Sequence, residues 1–207
     1  RASRNTSITA TPAPGATFTT PPTLLQHASG ARYVNFGSSN LSAFEVSTKT
    51  AWTNRINPLF VLAVAAITAS SGRLIHSLRY ATGGSDRVRL GTAATTNIIT
   101  VTGNGFTLSS TIALTSTPRV MSFVQSGASA RKLRVDGGDE QINTATITST
   151  PITITSEMIG AGQTAADNTV NTGFCWRGPL HAIVTAPAAP SDADLLKLLA
   201  GKVSAQG

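Results

Sequence analysis

The chain has 207 residues, enough for one large all-β domain, and 41% of them are hydrophobic, so a core can be built. Charged residues are only 12%, about half the usual share, which leaves Thr, Ser, Asn, Gly and Ala to make most of the surface. Net charge is +7, yet the 16 basic residues are scattered and aromatics are 5%, which argues against the aromatic-interleaved basic stripe of a specific nucleic-acid reader.

A weaker attraction of this positive chain to acidic surfaces or phosphate is still expected. The single cysteine, Cys175, rules out an intrachain disulfide and fits folding in a reducing compartment. The longest apolar run, Leu59 to Ile67, is nine residues, too short for a membrane-spanning helix, and no basic-then-apolar leader is expected at the start. Neither a membrane nor a specific nucleic-acid partner is therefore expected.

In chain order, residues 1–30 read as an extended arm, rich in Thr, Ser and Ala, with Pro12, Pro14, Pro21 and Pro22. Proline removes ladder donors and favours extended chain, so the arm suits a linker or a strap over a neighbour, with Leu24-Leu25 docking its end. Arg32 to Phe36 reads as a strand, and Phe44 to Val46 as a short edge strand or helical turn. Leu59 to Ile67 is apolar enough for a buried helix, but with Pro58 before it and Ser70-Ser71-Gly72 after it the run reads as a central strand. Further strands are expected at Arg73–Tyr80, Arg87–Leu90, Asn97–Val101, Phe106–Leu108 and Thr111–Leu114.

The clearest pattern is Pro118 to Gly138. Met121, Phe123 and Gln125 share one face, and Arg131, Leu133 and Val135 alternate with Lys132, Arg134 and Asp136 across the turn Ser126 to Ala130. The second arm ends in Asp136-Gly137, which supplies the positive φ of a tight hairpin. Ile142–Ile147 and Ile152–Ile159 have strong β character, Gly160 to Thr172 reads as a polar loop, and Phe174 to Thr185 as a long final strand with Phe174 and Trp176 on one face. A helix is expected over 191–201: Ser191 is the N-cap, Asp194 completes a capping box, Gly201 closes it, and Leu195, Leu198 and Leu199 form the stripe that docks on the sandwich. Many short strands and one terminal helix predict an all-β fold, an antiparallel two-sheet jelly-roll sandwich.

The order of four segments resembles the concanavalin A-like lectin/glucanase superfamily, in its laminin-G-like branch. They are Ala31–Ser38 (ARYVNFGS), Pro58–Ile67, Arg131–Gly137 (RKLRVDG), and Gly173–Lys202 with its Ser-Asp-x-Asp-Leu helix. The resemblance implies a jelly-roll domain over 31–207. It leaves function open, because the fold hosts lectins, glycosidases, adhesion modules and virion proteins. Low-charge sequences of this type with a trailing helix are similar to bacteriophage tail and capsid-associated proteins.

Glycosidase chemistry needs two facing carboxylates, and none of the nine acids forms a Glu-x-Asp pair on a strand, so the chain is not expected to be an enzyme. No cofactor is expected. The one cation with candidate ligands is calcium, at Asp136, Asp139 and Glu140, although these read more simply as a solvated turn. His27, His76 and His181 lack metal-ligand spacing and read as structural or surface residues; Cys175 reads as a buried small hydrophobe. Trp176 reads as core, whereas Trp52, in a polar segment, is the better candidate to stack on a sugar. Arg87, Asp167 and Asn168, in the loops at Gly83–Arg87 and Gly160–Thr172, are the other ligand candidates.

The leading expectation is a non-catalytic structural protein of a bacteriophage virion, a capsid decoration or tail component. It would be made in the host cytoplasm, bind neighbouring virion subunits, and work as a homo-oligomer. The alternative is a lectin-like carbohydrate-binding module for cell-surface glycans.

Overall fold

The computed structural model describes residues 11–12, 22–28, 30, 32–36, 43–45, 56–68, 72–79, 87–103, 105–148, 156–163, 170–187, 190–191, 193–194 and 197. Its strands are β1 (Thr11–Pro12), β2 (Thr23–Gln26), β3 (Arg32–Asn35), β4 (Phe44–Glu45), β5 (Leu59–Ala65), β6 (Leu74–Arg79), β7 (Arg87–Thr92) and β8 (Ile98–Gly103). They continue as β9 (Phe106–Ala113), β10 (Arg119–Gln125), β11 (Arg131–Val135), β12 (Asp139–Asn143), β13 (Ser156–Ile159), β14 (Gly162–Gln163), β15 (Val170–Asn171) and β16 (Pro179–Ala186). Two seven-stranded antiparallel sheets result: sheet A in the order β1-β4-β13-β6-β7-β8-β9, and sheet B in the order β12-β11-β10-β5-β16-β3-β2. β14 and β15 form a separate small pair. The chain is the two-sheet jelly-roll sandwich that its alternation predicts.

One face of each sheet is apolar, and these faces meet. Sheet A supplies Leu78, Val88, Leu90, Ile99, Val101, Phe106 and Leu108; sheet B supplies Leu59, Val61, Ala63, Met121, Phe123, Leu133 and Val135. Burial of this apolar surface is the main force holding the sheets together. β5 is the centre of sheet B and is buried at every position. Its second face, Phe60 and Leu62, packs with Val120, Val124 and Ala186 in a separate cluster on the outside of the sheet. That double burial is why the run has no polar alternation.

The 118–138 hairpin forms with the expected register, Gln125 opposite Arg131 and Met121 opposite Val135. Asp136 and Gly137 take φ of 51° and 76°, the positive values the Asp-Gly turn calls for. Three polar side chains are built into the interior side. Arg131 is 0% exposed at the rim of the core, and His76 Nε2 lies 2.9 Å from Glu157 Oε1, both side chains buried.

Several expectations need correction. The segment read as an arm over 1–30 contributes strands: β1 pairs with β4 and β2 pairs with β3, so parts of it belong to the sheets. Thr and Pro favour extended backbone, and an extended segment beside an open sheet edge pairs with it. Phe106–Leu108 and Thr111–Leu114 are one strand, β9. The final strand begins only at Pro179; Thr172–Phe174 is a short 3-10 turn, η1, and Trp176 alone enters the core. Phe174 and Trp176 therefore do not share a strand face. Residues 144–148 continue past β12 outside the ladder, where the Ala145 carbonyl accepts from Arg131 and Ile147 N donates to the Ala128 carbonyl at the β10–β11 turn. At the C-terminus, Ala193, Asp194 and Lys197 are helical, and Ser191 Oγ accepts from Asp194 N at 3.1 Å, as a capping residue should. Leu195, Leu198 and Leu199 lie outside the described residues.

Candidate functional site

The outer face of sheet A is polar because its register puts arginine and hydroxyl side chains on the same side. Arg79 pairs with Arg87, Ser77 with Arg89, Arg89 with Thr102, and Gly91 with Thr100. Paired residues point to one face of a sheet. Val88 and Leu90 face the core, so Arg87 and Arg89 must face outward. Arg79 and Arg89 are buried and Arg87 is half-buried. Glu45, opposite Met158, is the carboxylate on this face among the described residues of the sheet.

The segment after β13 lies over this face. A Cβ on Gly162 would stand 2.7 Å from Leu74 Cδ1 and 3.5 Å from Arg89 Nη2, so backbone runs directly against the sheet there. The guanidinium of Arg89 sits over the Phe174 ring, 5.2 Å from its centroid. Arg73 donates to the Gly173 carbonyl at 2.8 Å. The result is a belt of guanidiniums, Arg79, Arg87 and Arg89, with Arg73 and Arg177 as a second interacting pair beside the η1 turn.

These cations raise one another's energy. Burial, then Arg87 and then Arg79, push the Arg89 guanidinium down to about 10. Burial and Arg177 likewise lower Arg73. At neutral pH the belt is nonetheless cationic. Guanidiniums in a planar fork are suited to carboxylate, sulfate or phosphate oxygens, and the Thr and Ser hydroxyls beside them to sugar hydroxyls.

Of the ligand residues expected from sequence, Arg87 is placed in this belt. Trp52, Asp167 and Asn168 lie outside the described residues. The calcium candidates are brought onto one hairpin but turned to different partners. Asp136 accepts from Arg119 at 2.6 Å and from Val120 N at 2.9 Å. Asp139 accepts from Thr111 N at 2.8 Å, from Thr111 Oγ1 at 3.2 Å and from Gln141 at 3.2 Å. Glu140 pairs with Arg134 on the neighbouring strand. The Thr111 backbone bond is the main reason Asp139 sits below the usual carboxylate range. Among the described residues no three His, Cys, Asp or Glu side chains are grouped to hold a metal ion. The carboxylates tie strands together instead, Asp139 joining edge strand β12 to edge strand β9.

Arg79 and Arg89 were not among the expected site residues. The signal was present: Arg87-Val88-Arg89-Leu90 alternates charge with apolar residues, which places two cations on one strand face. Cys175 is buried with Ala43, Met158 and Ala161, and desolvation pushes its thiol up to about 11, so it is neutral at pH 7. His27 and His181 are unexpectedly neighbours, with Nε2 and Nδ1 3.4 Å apart, although 154 residues separate them.

No protein-family model matches the chain, and no curated protein matches it. Solved structures do share the fold. The CBM40 of the Ruminococcus gnavus IT-sialidase, bound to α2,3-sialyllactose, is 13% identical with a TM-score of 0.56, over 70% of this chain and 83% of that one. A native heptameric SAP-like pentraxin from Limulus polyphemus is 13% identical with a TM-score of 0.51, over 66% of each chain. Trypanosoma rangeli sialidase is 12% identical with a TM-score of 0.58, over 84% of this chain but 28% of its own. At these identities the likeness is one of fold.

Proposed function

We propose that the chain is a lectin-like carbohydrate-binding module that takes an acidic sugar on the outer face of sheet A. The observation that carries this reading is the gathering of Arg79, Arg87 and Arg89 on one polar sheet face, where half-buried Arg87 is the member a ligand reaches and Arg79 and Arg89 lie buried beside it. A carboxylate can take two parallel N–H bonds from one guanidinium such as that of Arg87. Threonine hydroxyls and an aromatic ring are what a sugar ring needs beside its charged group. The neighbours that share the fold support a carbohydrate ligand over the virion role expected from the sequence, since one of them, the CBM40, was solved bound to α2,3- and to α2,6-sialyllactose. In this reading the module is non-catalytic: it holds the sugar and does not cleave it.

The test is calorimetric titration with α2,3-sialyllactose and, separately, lactose. Binding of the sialylated sugar alone is expected, weakened at least tenfold in Arg87→Gln and Arg89→Gln. Equal binding of the two sugars, or full affinity in both variants, would sink the proposal.

A further inference from the structure

We infer that His27 and His181 form a binding site for a transition-metal ion of the zinc or copper class on the outer face of sheet B. The site is independent of the arginine belt, which lies on the other sheet.

The geometry carries the inference. His27 Nε2 and His181 Nδ1 are 3.4 Å apart. That is beyond the usual range of a hydrogen bond, about 2.7–3.2 Å. It matches the separation of two nitrogens on one tetrahedral ion, because bonds of about 2.0–2.1 Å at the tetrahedral angle span roughly 3.4 Å. The two rings lie nearly parallel, at 8°, and Tyr33 stacks against His27 at 4.5 Å and packs beside His181 at 5.1 Å. Tyr33 belongs to β3, which pairs with both β2 and β16, so one ring from the strand between supports both imidazoles.

The backbone holds each histidine in place. His27 follows β2, and its carbonyl accepts from Gly30 N at 2.9 Å, closing the turn into β3. Gln26 Nε2 donates to the Gly30 carbonyl at 3.0 Å across the same turn. His181 stands at the register shift of β16 between Leu180 and Ala182, an irregularity that re-aims the side chain. Imidazole nitrogen suits zinc, copper and nickel, and discriminates against calcium and magnesium. With two protein ligands, the remaining positions are open to solvent or to another donor. A bound ion would fasten β2, the last strand of sheet B, onto β16.

The experiment uses the full chain without an affinity tag, stripped of metal and titrated with zinc chloride in a non-coordinating buffer. One zinc per chain is expected, with a rise in melting temperature that calcium does not give. His27→Phe and His181→Phe keep a ring against Tyr33 and remove the nitrogen; each is expected to weaken binding at least tenfold, while Cys175→Ser binds as the parent does. The imidazole nitrogen resonances of the parent chain give a second readout that needs no variant: His27 and His181 should move on zinc addition and His76 should not. Absence of binding, parental affinity in either phenylalanine variant, or unmoved His27 and His181 resonances would overturn the inference.

Discussion

Arg131 is fully buried, yet it is a strong stabilising residue because its guanidinium is surrounded by acceptors. It donates to Gln125 Oε1 at 3.2 Å, Asn143 Oδ1 at 3.3 Å, and the carbonyls of Ala145 and Ala128 at 2.8 and 2.6 Å. Its plane lies over Phe106, 4.5 Å from the ring centroid, which in turn stacks on Phe123. Leaving such acceptors without a donor costs roughly 1–3 kcal/mol for each one that stays buried. Arg131→Met, which keeps most of the length, is therefore expected to lose about 3–5 kcal/mol, read as a lower urea midpoint at unchanged slope. Cys175 makes a second case at this scale. Its thiol is buried and held neutral at pH 7, so a thiol reagent should label it slowly in the native protein and at the rate of a free cysteine in denaturant. Rapid labelling of the folded chain would show that the wall formed by Ala43, Met158 and Ala161 opens readily.

Elements are joined by single contacts whose loss can be forecast. Asp139 on β12 reaches Thr111 on β9 and so closes one edge of the sandwich. Its pKa is lowered from 3.8 in the folded state, so the unfolded chain binds the proton more tightly. The associated stability is present above pH 3.8 and is lost as pH falls through the folded value. Asp139→Asn should be less stable than the parent at pH 7, and the gap should narrow as the pH is lowered below 4 in parallel denaturant titrations. The turn after β13 depends on Gly160, at φ +87°, where an added Cβ would stand 2.3 Å from Phe36 Cε1. Gly160 N also donates to the Ile75 carbonyl and its own carbonyl accepts from Trp176 N, so the backbone cannot easily yield. Gly160→Ala is expected to cost about 1–3 kcal/mol and to lower the melting temperature.

For the molecule as a whole, the N-terminal segment guards the edges. β1 ends sheet A and β2 ends sheet B, so a chain beginning at residue 29 would leave β4 and β3 with unpaired ladder groups. Open edges recruit other strands. Light scattering of this truncated chain should show mass rising with concentration, whereas the full chain should not change. An unchanged, monodisperse truncated protein would mean that β1 and β2 protect nothing.

Much of this architecture could be read along the chain because it depends on neighbours in sequence. Period-two alternation placed Met121, Phe123, Leu133 and Val135 on one face, Asp136-Gly137 announced the turn, and the same alternation already put Arg131 on the side of Leu133. The unbroken apolar run of β5 announced a central strand, and the structure shows it covered on both faces. The candidate sites were less legible. Arg87 and Arg89 share a face by local spacing, but Arg79 joins them only through the β6–β7 register, and Phe174 only because a later turn folds back over the sheet. Asp136, Asp139 and Glu140 look like one acidic cluster in sequence, and pairing with Arg119, Thr111 and Arg134 takes them apart. His27 meets His181 through the pairing of β2, β3 and β16. Alternation and turn chemistry act over a few residues, so they leave a local trace in sequence. Strand pairing joins residues far apart through backbone hydrogen bonds that are the same for every side chain, and so leaves none.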